Sequence, residues 1–163
     1  MRIKKGIIIV GFPGIGKSTL AKNIDNVIDL ESSWFPKVAG WANIYCTVAN
    51  ELCAEGFIVC VSSHAEVRKA LIEQYAQYQN LIVLIYPSAC LYDDWIIKLE
   101  DRYNNTGLEK DARALNYMRN NYFNAVQEME DAYIQNSTVF DKRELKNIDY
   151  DLKGAIYLKK RNG

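Results

Sequence analysis

Near the start of the chain, Gly11-Phe12-Pro13-Gly14-Ile15-Gly16-Lys17-Ser18 follows the pattern G-x-x-x-x-G-K-[ST], and Thr19 comes next. Glycines at this spacing let the backbone wrap with its N–H groups pointing inward. A helix starting at the end of the loop adds partial positive charge, so phosphate oxygens would meet several donors at once. In this pattern Lys17 reaches the β- and γ-phosphates of a nucleotide, the Ser18 hydroxyl ligates Mg²⁺ and Thr19 can bond an α-phosphate oxygen. Gly11, Gly14, Ile15, Gly16, Lys17, Ser18 and Thr19 are therefore the candidate nucleotide-binding residues. Ser18 is the candidate metal ligand, and ATP with Mg²⁺ is the expected ligand. Binding does not by itself define a reaction, because switches, motors and kinases share such a loop.

The loop needs a strand to deliver it and a helix to carry the chain away. Gly6 to Val10 is an apolar run without polar alternation, suited to a central parallel strand, and Leu20, Ala21 and Ile24 then share one helix face. Val27 to Leu30 reads as a second strand, Val38 to Cys53 as a helix stopped by Gly56, and Phe57 to Val61 as a third strand. Ser63 with Glu66 forms a capping-box pattern that would start a helix at His64 or Ala65 and run it towards Tyr78. Leu81 to Tyr86 is the fourth strand. Helices follow over Leu91 to Tyr103 and Glu109 to about Tyr133, separated by the turn-rich Asn104-Asn105-Thr106-Gly107. Thr138 to Phe140 suits a fifth strand, and Ala155 to Leu158 suits either a strand or a short helix. Strands alternating with helices imply right-handed βαβ units, a parallel sheet in a three-layer α/β/α domain, and ligands beyond the strand C-terminal ends.

With that layout, the stretch Gly11 to Thr19 resembles the small P-loop kinases of the nucleoside monophosphate kinase group, whose relatives include shikimate, gluconate and adenylylsulfate kinases. Lys98-Leu99-Glu100-Asp101-Arg102 resembles the R-l-x-x-R pattern that opens their lid, with lysine in the first position. The resemblance implies one P-loop kinase domain over residues 1–163, an acceptor-binding region at about 31–56 and a lid at about 98–120 hinged near Asn104 to Gly107. It implies a carboxylate at Asp29 that contacts the acceptor hydroxyl or a magnesium-bound water, although a loop-starting Asp is an equal reading. Trp34 and Phe35 fall where the acceptor is enclosed and would stack on a base, worth roughly 1–3 kcal/mol. Trp41 and Tyr45, at helical spacing, read as core. Arg68 is the nearest equivalent of the arginine that grips an acceptor phosphate, and His64 stands beside it. Lys17, Asp29, Arg102 and Arg113 are the candidate catalytic residues, with Arg119 as a further member of the clamp. No Walker-B aspartate ends the third strand.

The implied activity is transfer of a phosphoryl group from ATP to a nucleoside or deoxynucleoside monophosphate. The alternatives are a kinase acting on a small-molecule hydroxyl, a polynucleotide 5′-kinase, and an ATP-binding regulatory protein without catalysis. Composition bounds these choices. The 163 residues suit one domain, since domains run to about 100–200 residues, and 49% hydrophobic with 25% charged residues is an ordinary folded balance. Twenty basic and 20 acidic side chains cancel, which gives no basic track for long nucleic acid and no membrane-binding surface. No run approaches the roughly 18–20 apolar residues of a membrane span, and the apolar run after Lys4-Lys5 is too short for a signal segment, so a cytoplasmic location is expected. Cys46, Cys53, Cys60 and Cys90 have no metal-ligand spacing and read as small buried hydrophobes.

Overall fold

The computed structural model describes residues 6–154 and 156. Five strands, β1 (Ile7–Gly11), β2 (Val27–Asp29), β3 (Ile58–Val61), β4 (Leu81–Pro87) and β5 (Phe140–Leu145), form a parallel sheet in the order β2-β3-β1-β4-β5. Helices α1 (Lys17–Asn23), α2 (Trp41–Ala54), α3 (Ala65–Tyr78), α4 (Tyr92–Thr106) and α5 (Glu109–Gln135) flank it in an α/β/α sandwich. Short 3₁₀ turns lie at Ser32–Trp34 and Ala89–Leu91. Among the described residues, no helix is long and apolar enough to cross a membrane.

The central position of β1 follows from its composition. Ile7, Ile8, Ile9 and Val10 are each at most 1% exposed, and Ile9 stands level with Cys60 on one side and Val83 on the other. Each such side chain contributes roughly 1.5–3 kcal/mol of burial, which a solvated edge strand would forfeit. This order puts the loop after β1 mid-sheet, with the ends of β2 and β3 together on one side of it.

Several boundaries differ from the sequence expectation for identifiable reasons. Val38 fits the apolar period of α2 but lies outside it and is 60% exposed, because Gly40 adopts φ 80° and the helix starts at Trp41. Ser63 does not cap α3: His64 holds the N-cap position without a side-chain bond. Helix α4 runs through the predicted break as far as Thr106 and ends at Gly107, φ 63°, so only Gly107 and Leu108 separate it from α5. β5 begins at Phe140, where the expected strand ends, and extends through the charged residues Asp141 to Glu144. Among the described residues it pairs with β4 alone, and charge on an edge strand discourages pairing with another chain. Cys46, Cys53 and Cys60 are buried as expected, while Cys90 is exposed. The expectation for Ala155 to Leu158 falls largely outside the described residues.

Candidate active site

The loop between β1 and α1 curls as its glycines require. Gly14 and Gly16 have φ of 93° and 105°, the left-handed region that other residues resist. Gly11 meets a different constraint, since a Cβ there would lie 2.6 Å from Ile15 Cδ1 and 2.8 Å from Lys17 Cδ. The lysine stem therefore folds back across Gly11, and Nζ donates to the Gly11 carbonyl at 3.2 Å. Burial lowers the pKa of Lys17, with Asp29 the main opposing influence. An ammonium so placed is short of solvation and gains from any anion brought to it.

A clamp outside the loop keeps it in shape. Trp95 on α4 is fully buried, and its indole Nε1 donates to the Pro13 carbonyl at 2.9 Å. Tyr150, beyond β5, donates its hydroxyl to the Ile15 carbonyl at 2.7 Å and stacks on Trp95 at 6.0 Å between ring centroids. Lys98 lies over both rings, 4.6 Å and 4.4 Å from their centroids, and hydrogen-bonds the Tyr150 hydroxyl. Burial and Arg102 bring its pKa down to about 8. With carbonyls 13 and 15 held by this clamp and the Phe12 and Ile15 N–H groups bonded to the Ile85 and Phe12 carbonyls, the N–H groups of Gly14, Gly16 and Lys17 are the ones left for a ligand.

In front of the loop lies a cavity of about 640 Å³ whose lining includes Gly14, Gly16, Lys17 and Ser18. The ends of β2 and β3 supply one wall through Asp29 and Glu31, and Ser62 to Ala65. Tyr45 joins those strand ends: its buried hydroxyl donates to the Leu30 carbonyl at 2.6 Å and accepts from the Ser62 N–H at 3.0 Å. We expect Tyr45→Phe, which orphans both groups, to cost about 1–3 kcal/mol in urea unfolding. A loss below a few tenths of a kcal/mol would mean that the bridge is immaterial. Asp29 has its pKa raised, first by burial, against the pull of Lys17. Burial lowers the pKa of His64, with Lys17, Lys37 and Arg68 adding to the effect and Glu66 opposing it, and the imidazole sits 3.2 Å from the Ser62 hydroxyl.

Helices α4 and α5 close the other side. Arg102 pairs through Nε with the buried Asp111 at 3.0 Å, and Thr106 also donates to Asp111, which pins the elbow between the helices. The pairing leaves both terminal nitrogens of Arg102 for another anion. Lys110 reaches across to Glu31 at 3.6 Å, and Arg113, largely exposed, pairs with Glu109 at 3.6 Å. Arg68 is held by the α5 residue Glu128 at 3.1 Å. Ala114, Tyr117, Met118, Ala125 and Met129 give this side an apolar surface.

A shikimate kinase from Bacteroides thetaiotaomicron superposes with a TM-score of 0.54 at 16% identity, covering 97% of each chain. An uncharacterized protein from Eubacterium ventriosum gives 0.51 at 15% identity over 98% of each chain. The chain has the fold of the small P-loop kinases. A gluconokinase from Sinorhizobium meliloti gives 0.48 at 16% identity, covering 96% of this chain and 90% of that one. No family model and no curated protein matches the sequence.

Within this P-loop kinase fold, the cavity gathers Lys17, Ser18, Asp29, Arg68, Arg102 and Arg113 from five separate elements. Trp34 and Phe35 do not line it: Trp34 is 66% exposed, and Phe35 packs edge-on against Tyr45 at 5.1 Å. Of the segment 31–56, only Glu31 and Ser32 reach the cavity. Thr19 is exposed, and the Ile15 carbonyl faces Tyr150. Arg119 stands outside the lining with Glu100 at 3.4 Å, and Lys98 belongs to the clamp. Sequence reasoning missed Tyr117, Lys110, Trp95 and Tyr150. For Trp95 a signal existed, since its spacing to Leu99 and Arg102 puts all three on one helix face.

Proposed function

We propose that the chain transfers the terminal phosphoryl group of ATP to a hydroxyl of a small molecule. The observation that carries this reading is Asp29, a half-buried carboxylate with raised proton affinity, on the wall of the cavity that also contains Lys17 and Ser18. The positive-φ glycines, the N–H groups of Gly14, Gly16 and Lys17 and the partly desolvated ammonium fit a triphosphate. Ser18, next to Lys17 on the cavity wall, would be the side chain to hold a magnesium shared with the phosphates. That ion, when bound, would neutralise phosphate charge.

Asp29 takes the acceptor hydroxyl proton as the new O–P bond forms and the bond from the γ-phosphorus to the bridging oxygen breaks. Lys17 and the terminal nitrogens of Arg102 stabilise charge on the transferring group and on the departing ADP. Arg113, already on the rim, joins them from the α5 side of the lid region 98–120. Residues 31–32 and 62–68 hold the acceptor. A nucleoside monophosphate, the acceptor first expected, remains a second reading because Tyr117 offers an aromatic face on the cavity wall. That acceptor is already ionised and needs no base, which leaves Asp29 only metal-bound waters to orient.

Release of ADP across a panel of hydroxyl compounds, nucleoside monophosphates and 5′-hydroxyl oligonucleotides tests the proposal. Tight ATP binding without transfer to any of them would favour a regulatory protein. Asp29→Asn is expected to lower kcat about 10²- to 10⁴-fold. Its pH profile gives a second check: the base must be ionised, so wild-type activity falls as pH drops through a pKa above the ordinary carboxylate range, and this acid limb disappears in the variant. An unchanged acid limb would assign it to another group.

A further inference from the structure

The two arginines on opposite sides of the cavity are engaged differently. Arg102 spends one nitrogen, Nε, on Asp111. Arg68 spends three: Nε donates to the Ser63 carbonyl at 3.2 Å, Nη1 to the Glu128 carbonyl at 3.3 Å, and Nη2 to the Glu128 carboxylate at 3.1 Å. Its side chain is only 12% exposed, whereas that of Glu128 is 57% exposed. The guanidinium is thus sheltered with its hydrogen-bonding edge taken, and the carboxylate that takes it faces outward beside the cavity.

The surroundings reinforce this asymmetry. Lys110, the other cation at that end, is tied to Glu31. The pKa of His64 is lowered, which disfavours its cationic form. Arg68 and Lys110 are thus each paired with a carboxylate, Glu128 and Glu31, while Lys17 and Arg102 are lining cations assigned above to the phosphates. An entering carboxylate or phosphate that approached Arg68 or Lys110 would have to displace a carboxylate already in place. Discrimination by a built-in repulsive group is as effective as discrimination by an attractive one.

We propose that Glu128 is a specificity-determining residue: by occupying Arg68 it restricts the acceptor to hydroxyl compounds without negative charge, lying against the Ala125 and Met129 wall. The inference rests on the reading of this cavity as an acceptor site for phosphoryl transfer and sets the charge class of that acceptor.

The test uses matched pairs that differ only in charge, glucitol with gluconate and uridine with uridine monophosphate. Each is titrated calorimetrically into wild-type protein and Glu128→Gln, both saturated with Mg·ADP, and ADP release is followed separately with Mg·ATP. The wild type should favour the uncharged member by about tenfold or more, and Glu128→Gln, which frees Arg68 without removing bulk, should erase or reverse that preference. Melting temperatures of the two proteins confirm that the variant is folded, as expected for an exposed position. Preference for the anionic member by the wild type, an unchanged ratio in the variant, or no binding of either member of both pairs overturns the proposal. Selective binding without ADP release keeps the charge rule and refutes the kinase reading, so the two fail separately.

Discussion

Lys17→Ala is expected to reduce phosphoryl transfer by at least about 10²- to 10³-fold while the protein stays folded, since an ammonium aimed at developing phosphate charge acts mainly in the transition state. Stability should hold for a specific reason. The ammonium is desolvated, its pKa is lowered, and its one hydrogen bond reaches the Gly11 carbonyl. Removing it relieves a burial penalty as it deletes a contact. Lys17→Arg should not rescue the rate, because the stem lies where a Cβ on Gly11 would be only 2.8 Å away, and a wider planar head does not reproduce a point charge in that channel. Steady-state kinetics with far-ultraviolet circular dichroism on each variant decides the matter. Full activity in Lys17→Ala would remove the catalytic assignment, and an unfolded protein would make the lysine structural.

Trp95→Ala carries the largest expected loss of stability. The side chain is fully buried, meets Phe12 edge-on at 6.0 Å, stacks on Tyr150, lies under the Lys98 ammonium and bonds the Pro13 carbonyl. Truncating such a residue costs about 3–5 kcal/mol, against a typical domain stability of about 5–15 kcal/mol. Urea unfolding should show a lower midpoint at an unchanged slope. Trp95→Phe separates packing from positioning: it keeps most of the ring, orphans the Pro13 carbonyl, and should raise the KM for ATP more than it shifts the unfolding midpoint. A KM that stays put while stability falls would mean that Trp95 fills space and does not shape the loop.

The sequence made some of this legible and hid the rest, according to the range of the contacts involved. Gly11 to Ser18 could be read directly because the spacing, the strand before it and the helix after it lie within about twenty residues of one another, and local geometry alone determines the curl. The central strands were equally plain, since burial on both faces leaves no room for polar alternation. β5 was hard to bound because an edge strand tolerates Asp141-Lys142-Arg143-Glu144, which mimics a loop. Ser63 and Glu66 had the residues of a capping box, yet His64 took the cap position, and the Ser63 carbonyl accepts from Arg68 instead. Trp34 and Phe35 were aromatic and well placed along the chain, but the turn after β2 leaves the first in solvent and packs the second against Tyr45. Pairings such as Arg68 with Glu128, 60 residues apart, or Tyr150 with Ile15, 135 apart, leave no trace in local spacing.

The hydroxyl of Tyr150 on the Ile15 carbonyl has a thermodynamic corollary. The segment after β5 and the residues that would cradle a triphosphate are joined through that hydroxyl, which also lies 3.4 Å from the Gly14 carbonyl, so docking of that tail and occupancy of the cradle are linked equilibria. By reciprocity, whatever free energy the docked tail lends to a ligand, the ligand returns to the tail in equal measure.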